Sequence, residues 1–423
     1  MTKLLQKLFS SEKRLILLIA FVYFFSTLFQ YSFSPELKIT GFYFGLPHVY
    51  SGDEPQYLLI LNSILRDNDF EVCNNFLQSL QGDCQAGKVY AGIKELCAKD
   101  CPCSKGEKKI PFLSVFSAFT AATFLFPFAQ DSCLLEPMAI FLAMIVSIFT
   151  IFFSMQIMKH FGFSRRTIAI ASLSLAFASP FWFYAKTFWT EPFLSLFLVA
   201  SVYCFLKKRF FVSGFLSATN ILVKPTTFLF SAIFCVMLAF ERKKHRLLVF
   251  VLGFVLAFAF CILLNQALHG NPLSFSKSDV AFGGNFFAGI GAEFFSPNFG
   301  LLLSFPLFVF VLAGFWFFFK KKRKDFLLFF SIILVYAIFW AQASFIVNGT
   351  GGYSFRYLVP LIPLMIVPIG FFLEENKSRK LSVLFWVVFA ISLLINIAAA
   401  LTPLLIGNPP WFFLEKLFLL ASS

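Results

Sequence analysis

The chain alternates long apolar runs with short polar or basic breaks. The runs fall at about 15–33, 136–158, 167–184, 190–206, 210–224, 225–240, 247–267, 301–319, 326–343, 356–373 and 381–403. Several exceed the roughly 18 residues that a helix needs to cross a bilayer. The pattern predicts an all-α polytopic membrane protein, a bundle of about eleven transmembrane helices with a large first loop at 34–135. The bundle with that loop forms one domain over 1–403, and 404–423 is a short tail.

Composition agrees. Of 423 residues, 59% are hydrophobic and 13% are charged, which is more apolar surface than a soluble fold hides. The net charge of +14 first suggests nucleic acid. The basic residues, however, sit between the apolar runs: Lys3 to Arg14, Lys159 to Arg166, Lys207 to Arg209, Glu241 to Arg246, Lys320 to Lys324 and Lys377 to Lys380. No basic face with interleaved aromatics lies outside the spans, so no nucleic-acid partner is expected.

Lysine and arginine stay on the cytoplasmic side. All six clusters fall there if the eleven runs all cross. The run Leu15 to about Phe33 then reads as an uncleaved signal anchor. A further apolar run, Ile110 to Phe128, would reverse the parity of everything after it, so it is expected to be re-entrant or interfacial. Lys224-Pro225 separates two short runs, which suggests broken helices. The external segments are then 34–135, 268–300, 344–355 and the C-terminal tail.

Six of the nine cysteines, Cys73, Cys84, Cys97, Cys101, Cys103 and Cys133, lie in the first external segment. The even number fits up to three disulfides in an oxidising compartment, with metal ligation by Cys97, Cys101 and Cys103 as the rival. Cys204, Cys235 and Cys261 fall in spans and read as small core residues.

Candidate chemistry concentrates on the external side. Ser51-Gly52-Asp53-Glu54-Pro55-Gln56-Tyr57 follows the first span. Ser51 with Glu54 makes a capping box, and Pro55 suits a first helical turn. Tyr57, Leu58, Ile60, Leu61, Ile64 and Leu65 then have helical spacing, which predicts an amphipathic helix on the membrane surface. Asp53 and Glu54 therefore either start a helix or serve chemistry. Lys186 and Glu191 lie where one span ends and the next starts. Lys224 lies near the outer edge of a helical pair. Gly349-Thr-Gly-Gly-Tyr353-Ser-Phe-Arg356 opens the tenth span. Bared backbone N–H groups, a helix start and a bidentate arginine suit an anion. Carboxylates beside such cations suit chemistry with a phosphate leaving group: a carboxylate deprotonates the attacking hydroxyl while the cations stabilise the departing phosphate. The Asp53–Glu54 pair is also a candidate site for a divalent cation.

At these residues the chain resembles the GT-C glycosyltransferase superfamily. It is most similar to the branch with the protein O-mannosyltransferases and the lipid A aminoarabinose transferase. The resemblance rests on Gly52-Asp53-Glu54-Pro55-Gln56-Tyr57 after span one and Trp189-Thr-Glu191-Pro192 at a later span start. It also rests on Lys224-Pro225, Ser296-Pro297-Asn298-Phe299-Gly300-Leu301-Leu302 and Gly351-Gly352-Tyr353-Ser354-Phe355-Arg356. It covers about residues 15–370, and the Cys-rich segment 73–103 has no counterpart in it. The resemblance implies a membrane glycosyltransferase acting on the external face, and a single displacement at the anomeric carbon would invert the sugar. The compact loops suggest a bacterial inner membrane with the site facing the periplasm, and the endoplasmic reticulum is the rival location. The donor would be a polyprenyl-phosphate sugar and the acceptor an envelope glycan, lipid or protein. Asp53 would be the catalytic carboxylate and Glu54 its support. Arg356, Lys224 and Lys186 would be candidates for the donor phosphate, with Glu191 and Tyr57 contributing to the substrate site. Two readings of other classes remain: a transporter or flippase of a lipid-linked or anionic substrate, and a membrane scaffold.

Overall fold

The computed structural model describes residues 11–34, 39–44, 54, 57, 58, 61, 63–67, 132–241, 243–269, 282–344 and 353–401. Asp53, the run 110–128, the glycines at 349–352 and five of the six loop cysteines lie outside the described residues. So does the side chain of Cys133, and the expected disulfides therefore fall outside them.

Each of the eleven apolar runs has a helical counterpart. They are α1 (Glu12–Leu28), α2 (Ser132–His160), α3 (Arg165–Phe177) with the short α4 (Phe181–Tyr184), α5 (Glu191–Leu206), α6 (Phe210–Val223), α7 (Phe228–Phe240) and α8 (Lys244–His269). After α9 (Phe286–Phe295) come α10 (Leu301–Ser304) with α11 (Phe308–Lys321), then α12 (Arg323–Ala341), α13 (Ile362–Glu375) and α14 (Arg379–Leu401). Among the described residues, five helical stretches are long and apolar enough to cross a membrane. Large apolar side chains such as Leu17, Leu263 and Leu394 stay more than half exposed, as lipid-facing positions do. The chain is an integral membrane protein.

The first span is shorter than its apolar run. Helix α1 stops at Leu28, and Phe29–Ser34 pairs as an antiparallel strand with Ile39–Phe44. The segment reads Phe-Gln-Tyr-Ser-Phe-Ser, an alternation of aromatic and polar residues that fits a strand better than a helix.

Proline divides the other irregular spans. Pro180 separates α3 from α4, and Pro306 follows α10. Pro225 removes a backbone donor and disfavours the helical region for the residue before it. Lys224 accordingly is extended, at φ −154° and ψ 117°, between α6 and the 3-10 turn Pro225–Thr227. Pro360 and Pro363 likewise leave Arg356–Leu361 as a 3-10 segment before α13.

The basic helix ends gather at one end of the bundle. Lys159 pairs with Glu12 at 2.6 Å, and Lys321 with Glu375 at 3.2 Å. Arg165 and Arg166 begin α3, where the helix dipole disfavours cations. The Glu374 carboxylate, from the end of α13, offsets this by accepting from the Ser164 backbone N–H at 3.3 Å and the Thr167 hydroxyl at 2.5 Å. Phenylalanine fills the space behind: Phe318 of α11 stacks on Phe371 of α13 at 4.3 Å.

Helices α6 and α8 touch backbone to backbone. A Cβ on Gly214 would strike the Phe250 carbonyl, and one on Gly253 would strike the Phe211 carbonyl. Small residues at such a crossing supply the close packing that holds helices together in lipid, where the hydrophobic effect is absent.

Candidate active site

The breaks at the opposite end of the bundle bring cations onto one aromatic stack. Tyr357 lies in the 3-10 segment and its ring stacks on Trp340, from the end of α12, at 4.0 Å and 6°. The Lys224 ammonium sits 4.0 Å from the Tyr357 ring centre and 5.1 Å from that of Trp340. The Arg356 guanidinium lies 4.9 Å from the Tyr357 ring and 4.6 Å from that of Trp189. Arg356 also donates to the Tyr357 hydroxyl at 3.1 Å. Two cations thus share one ring, which attracts both through its negative face. Their mutual repulsion favours an anion between or beside them.

Glu191 is buried at the first turn of α5, where Pro192 follows as a residue suited to a helix start. Its carboxylate accepts from the Thr190 hydroxyl at 3.3 Å. Glu191 and Arg356 both act electrostatically on the Tyr184 hydroxyl, so the acidic and basic groups converge on one region. Trp189 is buried, and its indole N–H has no hydrogen-bond acceptor among the described residues.

Glu54 joins the wall of this region. It is buried, and its carboxylate accepts from the Phe188 backbone N–H at 2.6 Å, one residue before Trp189. Tyr57 packs edge-on against Phe188 at 6.3 Å. Leu58, Leu61 and Leu65 are buried with Leu135 and Ala139 of α2, Phe193 and Leu194 of α5, and Val223. The expected surface helix thus turns its apolar face onto the bundle instead of the lipid. Its described part closes in one π-helical turn at Ser63–Asp67.

Lys186 does not enter this cluster. Its ammonium is buried and donates to the Ala400 carbonyl near the end of α14. Burial lowers its pKa from the ordinary lysine value to about 7. For the candidate divalent-cation site at Asp53 and Glu54, no group of three or more metal-ligating side chains occurs among the described residues, and Asp53 is outside them.

Of the residues predicted from sequence, the structure brings together Lys224, Arg356 and Glu191, with Glu54 and Tyr57 at the adjoining wall. Sequence reasoning missed Tyr357, Trp340 and Trp189, the aromatic frame. One signal was present: each is an amphipathic ring at the edge of an apolar run, with Tyr357 next to Arg356 and Trp189 two residues before Glu191.

No protein-family model and no curated protein matches the chain. Solved structures do. ArnT from Cupriavidus metallidurans bound to undecaprenyl phosphate matches with a TM-score of 0.61 at 16% identity, over 94% of this chain and 67% of that one. Its apo state gives 0.60 at 14% identity, over 94% and 66%. The Archaeoglobus fulgidus oligosaccharyltransferase in the apo form gives 0.52 at 13%, over 94% and 57%. The chain thus spans about two thirds of the ArnT length and less of the oligosaccharyltransferase. At these identities the likeness speaks for architecture, and on that ground the chain has the GT-C fold.

Proposed function

We propose that this protein is a membrane glycosyltransferase. It takes a sugar from a polyprenyl-phosphate donor and transfers it, with inversion, to an envelope glycan, lipid or protein. The reaction face is the side away from the basic clusters, the periplasmic side of a bacterial inner membrane. The observation that carries this reading is the placement of the Lys224 and Arg356 cations beside one ring, both within 5 Å of the Tyr357 ring centre. Two cations in an aromatic frame, at the end of a hydrophobic bundle, suit a phosphate whose lipid tail stays in the bilayer. The bound undecaprenyl phosphate of ArnT, which shares the fold, supports the same ligand class.

Asp53 removes the proton of the acceptor hydroxyl as that oxygen attacks the anomeric carbon. The C–O bond to the donor phosphate breaks, and the negative charge on the leaving phosphate is met by Arg356 and Lys224. Glu54 fixes the Asp53 segment to the Phe188 backbone. Glu191 keeps the guanidinium region electrostatically balanced.

Titration of undecaprenyl phosphate into the protein in nanodiscs tests the ligand. Arg356→Gln and Lys224→Met each weaken binding about tenfold or more, in line with the 1.5–3 kcal/mol of a hydrogen bond to a charged group. Unchanged affinity in both variants contradicts the reading. Movement of an unaltered lipid-linked substrate across the bilayer, without sugar transfer, would instead support a flippase.

A further inference from the structure

We propose that Asn396, on α14, is a positioning residue for Arg356. It acts through Tyr353 and Ser354 on the backbone that delivers the guanidinium. The proposal rests on the phosphate-binding reading of Arg356 given above.

Helix α14 presents lipid-facing positions, with Leu384, Val387, Ile391 and Leu394 each about half exposed. A buried amide on such a helix is costly unless its groups are used. Asn396 uses them. Its Nδ2 donates to the Ser304 carbonyl at 2.9 Å and to the Ser392 carbonyl at 2.8 Å. Its Oδ1 accepts from the Tyr353 hydroxyl at 3.3 Å. The two amide hydrogens and one oxygen lone pair are thereby engaged.

Both branches lead to the same backbone. Tyr353 is held at its hydroxyl by Asn396 and at its carbonyl by the Tyr184 hydroxyl, 2.6 Å away. Ser354 pairs with the Ser304 hydroxyl at 2.5 Å, and Asn396 holds the Ser304 carbonyl. Ser354 itself has φ +59°, a left-handed conformation that residues with a Cβ adopt only when neighbours impose it. Two residues later comes Arg356. Among the described residues, Asn396 touches both branches that hold this turn. The plain alternative is that the amide only ties helices together, as interhelical hydrogen bonds in membranes do at modest strength. Coupling to Arg356 separates the two.

The test uses the full-length protein in nanodiscs, with undecaprenyl phosphate as the probe. Hydrogen exchange is followed in the peptide covering 353–361, with one from the α6–α8 crossing as control. Asn396→Leu is expected to speed exchange at 353–358 at least tenfold while the control peptide stays protected. Asn396→Asp, which keeps the acceptor for Tyr353 but loses the donor to Ser304, falls between. Asn396→Leu also weakens lipid-phosphate binding about tenfold, and this loss vanishes in an Arg356→Gln background because the two residues act in series. Unchanged exchange at 353–358 overturns the proposal. So does an equal loss of binding in the wild-type and Arg356→Gln backgrounds. A wild-type protein that binds no undecaprenyl phosphate sinks the phosphate reading, and loosening of 353–358 by Asn396→Leu then shows a backbone tie alone and overturns the positioning role. If Asn396→Leu fails to fold, Tyr353→Phe removes the hydroxyl that donates to Asn396 and carries the same comparison.

Discussion

Tyr357 is the hub of the candidate site, and its replacement yields a graded prediction. Tyr357→Phe keeps the ring against Trp340 and under both cations, and loses only the hydroxyl that accepts from Arg356 at 3.1 Å. A hydrogen bond to a charged group contributes about 1.5–3 kcal/mol. If most of that holds the guanidinium in its phosphate-binding pose, the affinity for undecaprenyl phosphate falls about tenfold. Tyr357→Leu also removes two cation–ring contacts, at 4.0 and 4.9 Å, and the stack on Trp340. Each cation–ring contact is worth about 0.5–2 kcal/mol, and an aromatic pair about 0.5–1.5 kcal/mol. Part of this appears as lost folding stability, and the part that orders the cations appears in binding. The expected order is therefore wild type, then Phe, then Leu, with Leu at least another tenfold weaker than Phe. Calorimetric titration in nanodiscs, alongside melting curves of the same samples, reads both parts. Normal affinity in both variants, with only a lowered melting temperature, would show that Tyr357 is ordinary core and refute the reasoning.

Other parts of the structure make separate predictions. Gly214→Val forces side-chain atoms against the Phe250 backbone, and overpacking of this kind costs about 1–3 kcal/mol, so the melting temperature in detergent should drop; an unshifted melting curve contradicts the close crossing. Glu54→Gln keeps an acceptor for the Phe188 N–H and should stay near wild-type stability, whereas Glu54→Ala leaves that buried donor unpaired at about 1–3 kcal/mol; equal stability of the two variants would remove the anchoring role. Lys186 has a folded pKa of about 7 against an ordinary value of 10.5. Between these values the unfolded chain binds the extra proton, so stability rises as pH goes from about 7 towards 10.5, and is lost as pH falls back through 7. Lys186→Met should flatten that part of the stability profile, and an unchanged slope in the variant would refute the assignment.

The spans were legible because lipid demands apolar runs, and charge parity placed their ends. The ion pair of Lys159 with Glu12 and the bonds of Glu374 to Ser164 and Thr167 gather those basic ends as the parity requires. The convergence of Lys224, Arg356 and Glu191 was legible too, since each marks a polar break at the same end of the bundle. Other features were not. The strand at Phe29–Ser34 was hidden inside a run whose total hydropathy suited a helix, and only its period of two gave it away. Lys186 lies next to the right turn in sequence, but its side chain leaves towards Ala400, a direction that local pattern does not encode. The aromatic frame is built from residues 189, 340 and 357, and the support of Arg356 from residue 396. Such long-range pairings depend on helix packing, which a single sequence does not display.

Sugar transfer with Asp53 as the base can be read by mass spectrometry of envelope glycolipids and glycoproteins. Cells would carry the wild-type chain, a deletion, or Asp53→Asn at matched membrane levels. One sugar-sized mass is expected to disappear from the same acceptor in the deletion and in the Asp53→Asn cells. Intact glycans in the Asp53→Asn cells, or no covalent difference in the deletion, would contradict it.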